Sequence, residues 1–325
     1  MKVLVTGAGG AIGTALVEHL LAEKQSVRAL VRKSSRTDYL NKRVEVFDGD
    51  LTDSESLSRA IEGVSVVFHL AAKLHINSPD ASLRDEYRKI NVEGTRRLAE
   101  AARSAGVERM VFYSTINVYG SCNNAETFDE DSPLRPETIY AETKAEGERI
   151  VLENLPSVVL RLAAVYGPRM KGNYPLLLNA LSKGHFVKIG DGNNRRSLVY
   201  VSDVCAASQL AASHESAAGK VYNLTDGRVH TLNEIIEAMS AALDKRAPRL
   251  RVPIAPTRAL AGVFEDGARL FGVRSPVGRA TIDKLNEDIA VSSQKIEREL
   301  GFIPRFDLER GWRETVRLMK DRRAA

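Results

Sequence analysis

Tyr140 and Lys144 stand four residues apart in Tyr140-Ala-Glu-Thr-Lys144, the spacing that sets two side chains on one face of a helix. A phenol ordinarily ionises near pH ~10, and a neighbouring ammonium stabilises the phenolate, bringing the group toward general acid or base work near neutrality. By itself that pair is common on solvent-facing helices. Ser114 and Thr115, however, close the apolar run from Arg109 to Thr115 and supply a hydroxyl that can orient an alcohol or carbonyl beside the tyrosine. The three elements together point to proton transfer at a carbon–oxygen bond.

A second chemical stretch opens the chain. Val3, Leu4 and Val5 form a short apolar run, Thr6 and Gly7 break it, and Gly10 and Gly13 follow at intervals of three before Leu16, Val17, Leu20 and Leu21 recur at helical spacing. The pattern predicts strand, tight turn and helix. Side chains at the turn would keep backbone N–H groups and the helix N-terminus away from a pyrophosphate, so the glycines suit a dinucleotide. Roughly 20 residues further on, a dinucleotide fold carries an acid for a free ribose 2′-hydroxyl or an arginine for a 2′-phosphate. Here the acid is missing and Arg32 follows the predicted strand Val27 to Val31, which favours NADP.

These residues need a scaffold. Further strands are predicted at Val44 to Phe47, Val64 to Leu70, Arg109 to Thr115 and Val158 to Leu162, with helices between them, one of them from about Asp85 to Ala105. The nearly continuous apolar run at Val64 to Leu70 suits a parallel strand covered on both faces. Thr52 and Glu55 have capping-box spacing for the helix bearing Leu57 and Ile61, and Asp50 could contact an adenine amine or shape the turn. Alternating strands and helices predict an α/β fold, a doubly wound parallel sheet with ligands beyond the carboxyl ends of its strands. Residues 1–167 form this cofactor domain. Residues 168–325 form mainly a smaller α/β substrate domain, with segments near 196–224 returning to the first.

Composition narrows the class. The chain has 325 residues, 43% of them hydrophobic, and no apolar run approaches the roughly 18 residues that span a bilayer. A soluble cytoplasmic protein without a membrane partner is expected. Cys122 and Cys205 show no disulfide or metal spacing, and the six histidines form no ligand pair, so no metal site is expected. The net charge of +5 suits an anionic ligand, but without a basic stripe with interleaved aromatics nucleic acid is not an expected partner.

With these residues in place the sequence resembles the extended short-chain dehydrogenases/reductases, the NAD-dependent epimerase/dehydratase family. The match runs through Thr6-Gly7-Ala-Gly-Gly10-Ala11-Ile12-Gly13, Gly49-Asp50-Leu51-Thr-Asp53, His69-Leu70-Ala71-Ala72, Asn91-Val-Glu-Gly94-Thr95, Tyr113-Ser-Thr115-Ile-Asn-Val-Tyr-Gly120, Tyr140-Ala-Glu-Thr-Lys144, Val165-Tyr-Gly-Pro168, Arg196-Ser-Leu-Val-Tyr-Val-Ser-Asp203, Tyr222-Asn223-Leu and Leu300-Gly-Phe-Ile-Pro304. The resemblance implies catalysis by Thr115, Tyr140 and Lys144. It also implies adenosine contacts from Asp50, Leu51 and Leu70 to Ala72, a place near the nicotinamide for Val165, and a homodimer through the helices bearing Asn91 and Tyr140. Arg196 matches the family arginine that holds a substrate diphosphate. Ile116 and Asn117 stand where dehydratases carry carboxylates, which disfavours dehydration, and Ala164 replaces a frequent asparagine.

Beyond Pro168, Lys171-Gly-Asn173 precedes a helix from about Leu176 to Lys183, and Arg195-Arg196 precedes the apolar run Leu198 to Val201. A guanidinium binds diphosphate oxygens in a fork, and either arginine could serve; Arg196 is the choice here. Together with Leu74-His75, these features resemble ketoreductases and 4-epimerases of UDP-linked acetamido sugars, and Lys73, Asn173, Arg196 and Thr115 are the candidate substrate contacts. Leu232 to Leu243 and Leu260 to Phe271 read as helices with core-facing apolar sides, and Trp312 as packing for the last helix. The expected activity is an NAD(P)-dependent 4-epimerase or 4-ketoreductase of a nucleotide-diphosphate sugar, probed against two alternatives: a reductase of a hydrophobic ketone and a non-catalytic NADP sensor.

Overall fold

The computed structural model describes residues 1–38, 40–74, 83–122, 126–270, 278–279, 283 and 287–324. Its central sheet draws on β1 (Lys2–Thr6), β2 (Ser26–Val31), β3 (Glu45–Asp48), β4 (Val66–His69), β5 (Arg109–Thr115), β6 (Ser157–Leu162) and, after three strands that lie outside it, β10 (Lys220–Leu224). Their spatial order is β10-β6-β5-β4-β1-β2-β3, and every adjacent pair is parallel. The strand order reverses between β1 and β4, so a crevice opens there beyond their carboxyl ends. β1 and β4 are buried almost throughout, as their apolar sequences require.

Helices cover both faces. α1 (Ala11–Ala22) and α7 (Val201–Ser213) contribute Leu16, Val17, Leu20, Val204 and Cys205 to one buried cluster. On the other side, Leu57 and Ile61 of α2 (Ser54–Ile61), Leu98 of α4 (Gly94–Ser104) and Ile150 and Val151 of α5 (Ile139–Asn154) fill a second. The N-cap of α2 is Asp53, whose carboxylate accepts the N–H groups of Glu55 and Ser56; the Thr52–Glu55 capping box expected from spacing does not form. The helix expected over 85–105 starts as α3 (Arg84–Tyr87), widens into a π-helical segment at Arg88–Glu93 and continues as α4. That wider segment carries Asn91, whose side chain has a task in the site described below.

The remaining elements lie outside the central sheet. β7 (Ala164–Tyr166), β9 (Arg195–Tyr200) and β11 (Val229–Thr231) make a three-stranded sheet, and β8 (Lys188–Ile189) pairs with β12 (Arg251–Val252). α6 (Asn173–Lys183) begins three residues before the predicted helix, because Pro175 falls in its first turn, where no N–H bond is lost. A true capping box between Thr231 and Glu234 starts α8 (Leu232–Ala242). Trp312 of α11 (Leu308–Ala324) is fully buried and stacks on Tyr166 with ring centroids 4.6 Å apart. α9 (Ile254–Leu270) departs from expectation: Leu260, Val263 and Phe264, read as core-facing, are 57%, 67% and 63% exposed. Between α9 and α11 lies the short α10 (Gln294–Leu300).

Candidate active site

The glycine loop is built by exclusion. Gly7 has φ +73°, and a Cβ there would lie 2.7 Å from the Ala71 nitrogen; a Cβ on Gly13 would lie 2.2 Å from the Gly7 carbonyl oxygen. Both distances are shorter than any real contact, so β1, the start of α1 and the segment after β4 meet closely only with glycine at these positions. Gly10 occupies the N-cap of α1 in an extended conformation, and no side chain caps the helix. The first N–H groups of α1 therefore face the crevice as donors for an anion. This cradle fits the pyrophosphate of a dinucleotide, with Ala11 and Ile12 in the same first turn.

The crevice has two chambers that share Gly7, Gly10, Leu70, Ala72, Leu74 and Lys171. One, of about 620 Å³, is bordered by Arg32, Ser35, Asp50, Leu51, Ala71 and Lys73. These include every residue expected to surround adenosine. Asp50 Oδ1 accepts both the N–H and the hydroxyl of Thr52, each at 2.8 Å. Burial pushes its carboxyl up, but those bonds and the charges of Arg32 and Lys89 outweigh it and hold the group below its usual value. Lys73 is ion-paired with Glu86. The other chamber, of about 810 Å³, is bordered by Ile12, Gly13, Tyr140, Lys144 and Val165, and its wall adds Leu162, Met170, Val201 and Leu318.

A buried hydrogen-bond chain holds the junction of the chambers. Thr6 Oγ1 accepts the Ala71 N–H at 3.1 Å and lies 2.8 Å from His69 Nδ1; His69 Nε2 lies 2.9 Å from Thr95 Oγ1, which itself donates to the Asn91 carbonyl. Thr95 has spent its proton, so Nε2 carries the imidazole hydrogen and Nδ1 accepts from Thr6. Burial, then the charge of Lys144, hold His69 down to about 3, so it stays neutral. Asn91 accepts the Lys73 N–H at 2.7 Å and donates to the Lys73 carbonyl and to Thr143 Oγ1 of α5. The segment after β4 is thereby fixed to the helix that carries Tyr140.

Thr138 caps α5 by accepting the Ala141 N–H at 3.2 Å, which places Tyr140 in the first turn and Lys144 one turn later. Both border the larger chamber. Their electrostatics differ from the expectation of a phenol lowered by its lysine. Burial pushes Tyr140 up to about 12, with Tyr87 adding to the shift. Burial also drives Lys144 down to about 7, against the opposing pull of Glu148. The lysine Nζ is 3.8 Å from the centroid of the Phe112 ring, a cation–π contact beneath the chamber. Tyr140 is therefore held as a protonated phenol.

Beneath Lys144 lies a set of groups to which sequence reasoning assigned no role. Glu148, one turn beyond it on α5, accepts Arg161 Nε at 3.1 Å and Nη2 at 2.7 Å and also binds the Ser114 hydroxyl. Arg161 Nη1 donates to Tyr119 Oη at 2.8 Å, and Tyr119 donates to Asn223 Oδ1 at 2.7 Å. The i, i+4 spacing of Lys144 and Glu148 was the available signal; the partner of Glu148 was not. Ser114 is bound to Glu148 and borders the larger chamber; Thr115, expected as the substrate hydroxyl, stands apart from its wall. Thr115 Oγ1 accepts the Asn117 N–H at 3.2 Å, which leaves the hydroxyl proton to donate.

Three expected contacts stand apart from both chamber walls: Thr115, 9% exposed at the end of β5, Asn173 at the start of α6, and Arg196 on β9. Arg196 Nη1 is 3.4 Å from Glu287 Oε2, and Arg195 is 3.2 Å from Asp288 Oδ2. His75 lies outside the described residues. Among the described residues no cluster of histidine, cysteine, aspartate or glutamate could hold a metal. Cys122 and Cys205 are both buried free thiols.

The sheet order, the glycine cradle and the paired chambers define a dinucleotide-binding oxidoreductase of the doubly wound class. A family model described as the NAD dependent epimerase/dehydratase family matches residues 3–225, and the chain belongs to that family. It is 31% identical, over 96% of its length and 94% of the relative's, to 4-hydroxy-2-methyl-3-oxo-4-farnesyl-3,4-dihydroquinoline-1-oxide ketoreductase of Stigmatella aurantiaca. It is 29% identical, over 97% of its length and 94% of the relative's, to UDP-glucose 4-epimerase of Vibrio cholerae. Among solved structures, the UDP-glucose 4-epimerase of Thermus thermophilus in complex with NAD superimposes with a TM-score of 0.76 at 29% identity, over 98% of this chain and 99% of that one.

Proposed function

We propose that the protein is an NAD(P)-dependent enzyme acting at a secondary alcohol or ketone, C4 of a nucleotide-diphosphate sugar, as a 4-epimerase or 4-ketoreductase. The observation that carries this reading is that Tyr140 and Lys144 border the same chamber as Ile12, Gly13 and Val165, so a phenolic proton and the expected nicotinamide end share one space. Bound nicotinamide supplies or accepts hydride at the reacting carbon. Tyr140, protonated at neutral pH, gives its proton to the oxygen of a ketone as that carbon is reduced, and takes it back in the reverse direction. The family resemblance gives Thr115 a hydrogen bond to the same oxygen, although Ser114 beside it is the hydroxyl on the chamber wall, and Lys144 binds the nicotinamide ribose. Relatives named as 4-epimerases support the sugar substrate.

One observation favours a second reading, reduction of a hydrophobic ketone. The chamber wall at Leu162, Val165, Met170, Val201 and Leu318 is apolar, and Arg196, the expected diphosphate ligand, faces Glu287. The relative named as a farnesyl-quinoline ketoreductase belongs with this alternative. The deciding assay pairs NAD(P)H-coupled reduction of UDP-4-keto sugars with reduction of neutral aromatic or polyprenyl ketones. Under the sugar reading, Arg196→Met raises KM for the nucleotide sugar at least about tenfold, the loss of one charge-assisted bond. Turnover confined to neutral ketones and indifferent to Arg196→Met overturns it. Tyr140→Phe lowers kcat at least about 10²-fold under either reading, and a variant that retains full turnover removes both.

A further inference from the structure

We infer that α9, with the basic stretch before it, is a docking face for an anionic lipid surface. The helix leaves an apolar side in water. Ala261 and Gly262 are its buried residues among those described, and its charged side carries exposed pairs, Arg258 Nε with Asp283 at 2.7 Å and Arg279 Nη2 with Asp266 at 2.6 Å; the Arg279 N–H also donates to Glu265 at 3.0 Å. At 100° per residue, positions 258, 262, 265 and 266 share that side. Pro256, Leu260, Val263, Phe264 and Gly267 lie on the other, which is free of charge. Leu260, Val263 and Phe264 are each more than half exposed there.

The chemistry of the occupant is set by what precedes the helix. Residues 245–251 read Lys-Arg-Ala-Pro-Arg-Leu-Arg. Arg246, Arg249 and Arg251 are exposed, and among the described residues none has an ion pair, while Leu250 among them is 65% exposed. A water-facing apolar stripe a few residues after exposed arginines offers the two parts of a bilayer interface, apolar side chains entering the headgroup boundary and cations meeting acidic headgroups. A second copy of this chain is the poorer occupant, because a two-fold contact centred here would bring both arginine sets into one interface where the acids at the helix already pair with Arg258 and Arg279. No helix among the described residues is long and apolar enough to cross a membrane, so the contact is peripheral.

Sedimentation of the full chain with phosphatidylglycerol/phosphatidylcholine vesicles, and with phosphatidylcholine vesicles alone, tests this. The expected result is binding to the anionic vesicles that weakens in high salt. Arg246→Gln, Arg249→Gln and Arg251→Gln each weaken partitioning about fivefold, the effect of one interfacial cation. Leu260→Ser with Phe264→Ser abolishes binding while circular dichroism and NAD(P)H binding stay unchanged. The arginine variants change only exposed side chains, so they keep the test open should the serine pair disturb the fold. Absence of binding to anionic vesicles, equal binding to neutral ones, or a solution dimer that the serine pair dissolves overturns the assignment.

Discussion

Glu148 and Arg161 form a buried fork, Nε to Oε1 at 3.1 Å and Nη2 to Oε2 at 2.7 Å, directly behind the lysine of the candidate active site. Both side chains are almost wholly withdrawn from water. The carboxylate is also the group that pulls Lys144 back up against its burial. The pair thus joins two tasks, holding β6 against α5 and sustaining charge on the lysine.

Replacing Glu148 by glutamine separates those tasks. Arg161 loses its counter-charge in a buried site, which costs about 3–5 kcal/mol, and Lys144 loses the influence that raises it. With Lys144 lower still, the fraction of ammonium at neutral pH falls, and the limb on which kcat declines with rising pH moves to lower pH. A Glu148→Gln, Arg161→Met double variant removes the unpaired guanidinium and recovers most of the stability, but its pH limb stays shifted. A double variant with the wild-type pH profile would show that the pair acts only as a brace.

Lys144 itself makes stability depend on pH. Its folded value is about 7 against 10.5 for the free amine. Between these values the unfolded chain binds a proton that the folded chain has released, so stability rises with pH across the window; below about 7 both states are charged and the full burial cost stands. The cost is on the order of 4 kcal/mol. Lys144→Met is therefore expected to melt higher than wild type at pH 6.5, with most of the difference gone at pH 9.5. His69, neutral down to about 3, titrates only below this window in the folded state, and Tyr140, pushed up to about 12, only above it. Parallel melting curves at pH 6.5 and 9.5 that keep a constant offset would contradict the assignment.

How far the chain could be read in advance depended on whether the deciding physics was local. Val3 to Val5 and Val66 to Phe68 announce buried strands by composition alone, and Gly7 and Gly13 announce a close approach because a Cβ at either would overlap backbone. Thr138 and Tyr140 start α5 by a cap and a loop that lie beside them in sequence. Partnerships are different. Nothing near Glu148 names Arg161, and nothing near Arg196, the expected diphosphate ligand, names its ion-pair partner Glu287, 91 positions away. Similarly, Leu260, Val263 and Phe264 mark one side of a helix, but periodicity is the same whether that side faces a core or water. The lysine's low value also escaped sequence reasoning, because desolvation over Phe112 belongs to the tertiary fold.

Gly13 offers a test of the cradle. A Cβ at this position would fall 2.2 Å from the Gly7 carbonyl, and the nearest atoms are backbone, which cannot swing aside. Gly13→Ala is expected to push the start of α1 away from the Gly7–Ala8 turn and to weaken dinucleotide binding by at least about tenfold, the value of one charge-assisted bond. Fluorescence titration with NADH and NADPH reads this directly, before any substrate is known. Unchanged affinity for both would mean that the first turn of α1 does not hold the pyrophosphate.

The proposed role of Arg32 is to choose between the two nicotinamide cofactors. The residue borders the smaller chamber with Ser35 and lies close enough to Asp50 to lower that carboxyl, and it follows β2, where dinucleotide folds read a ribose 2′ group. A 2′-phosphate would gain the guanidinium, whereas a free 2′-hydroxyl would find no acid after β2 to accept its proton. Wild type is thus expected to bind NADPH more tightly than NADH. Arg32→Asp removes the phosphate ligand and supplies the missing acceptor, and the ratio of the two dissociation constants should shift toward NADH by about 10²-fold, the sum of one lost and one gained charge-assisted bond. Nucleotide released on denaturing freshly purified protein gives an independent reading. Retained NAD, together with a ratio that Arg32→Asp leaves unchanged, would make Arg32 a solvated surface charge and favour an epimerase that keeps its cofactor through each turnover.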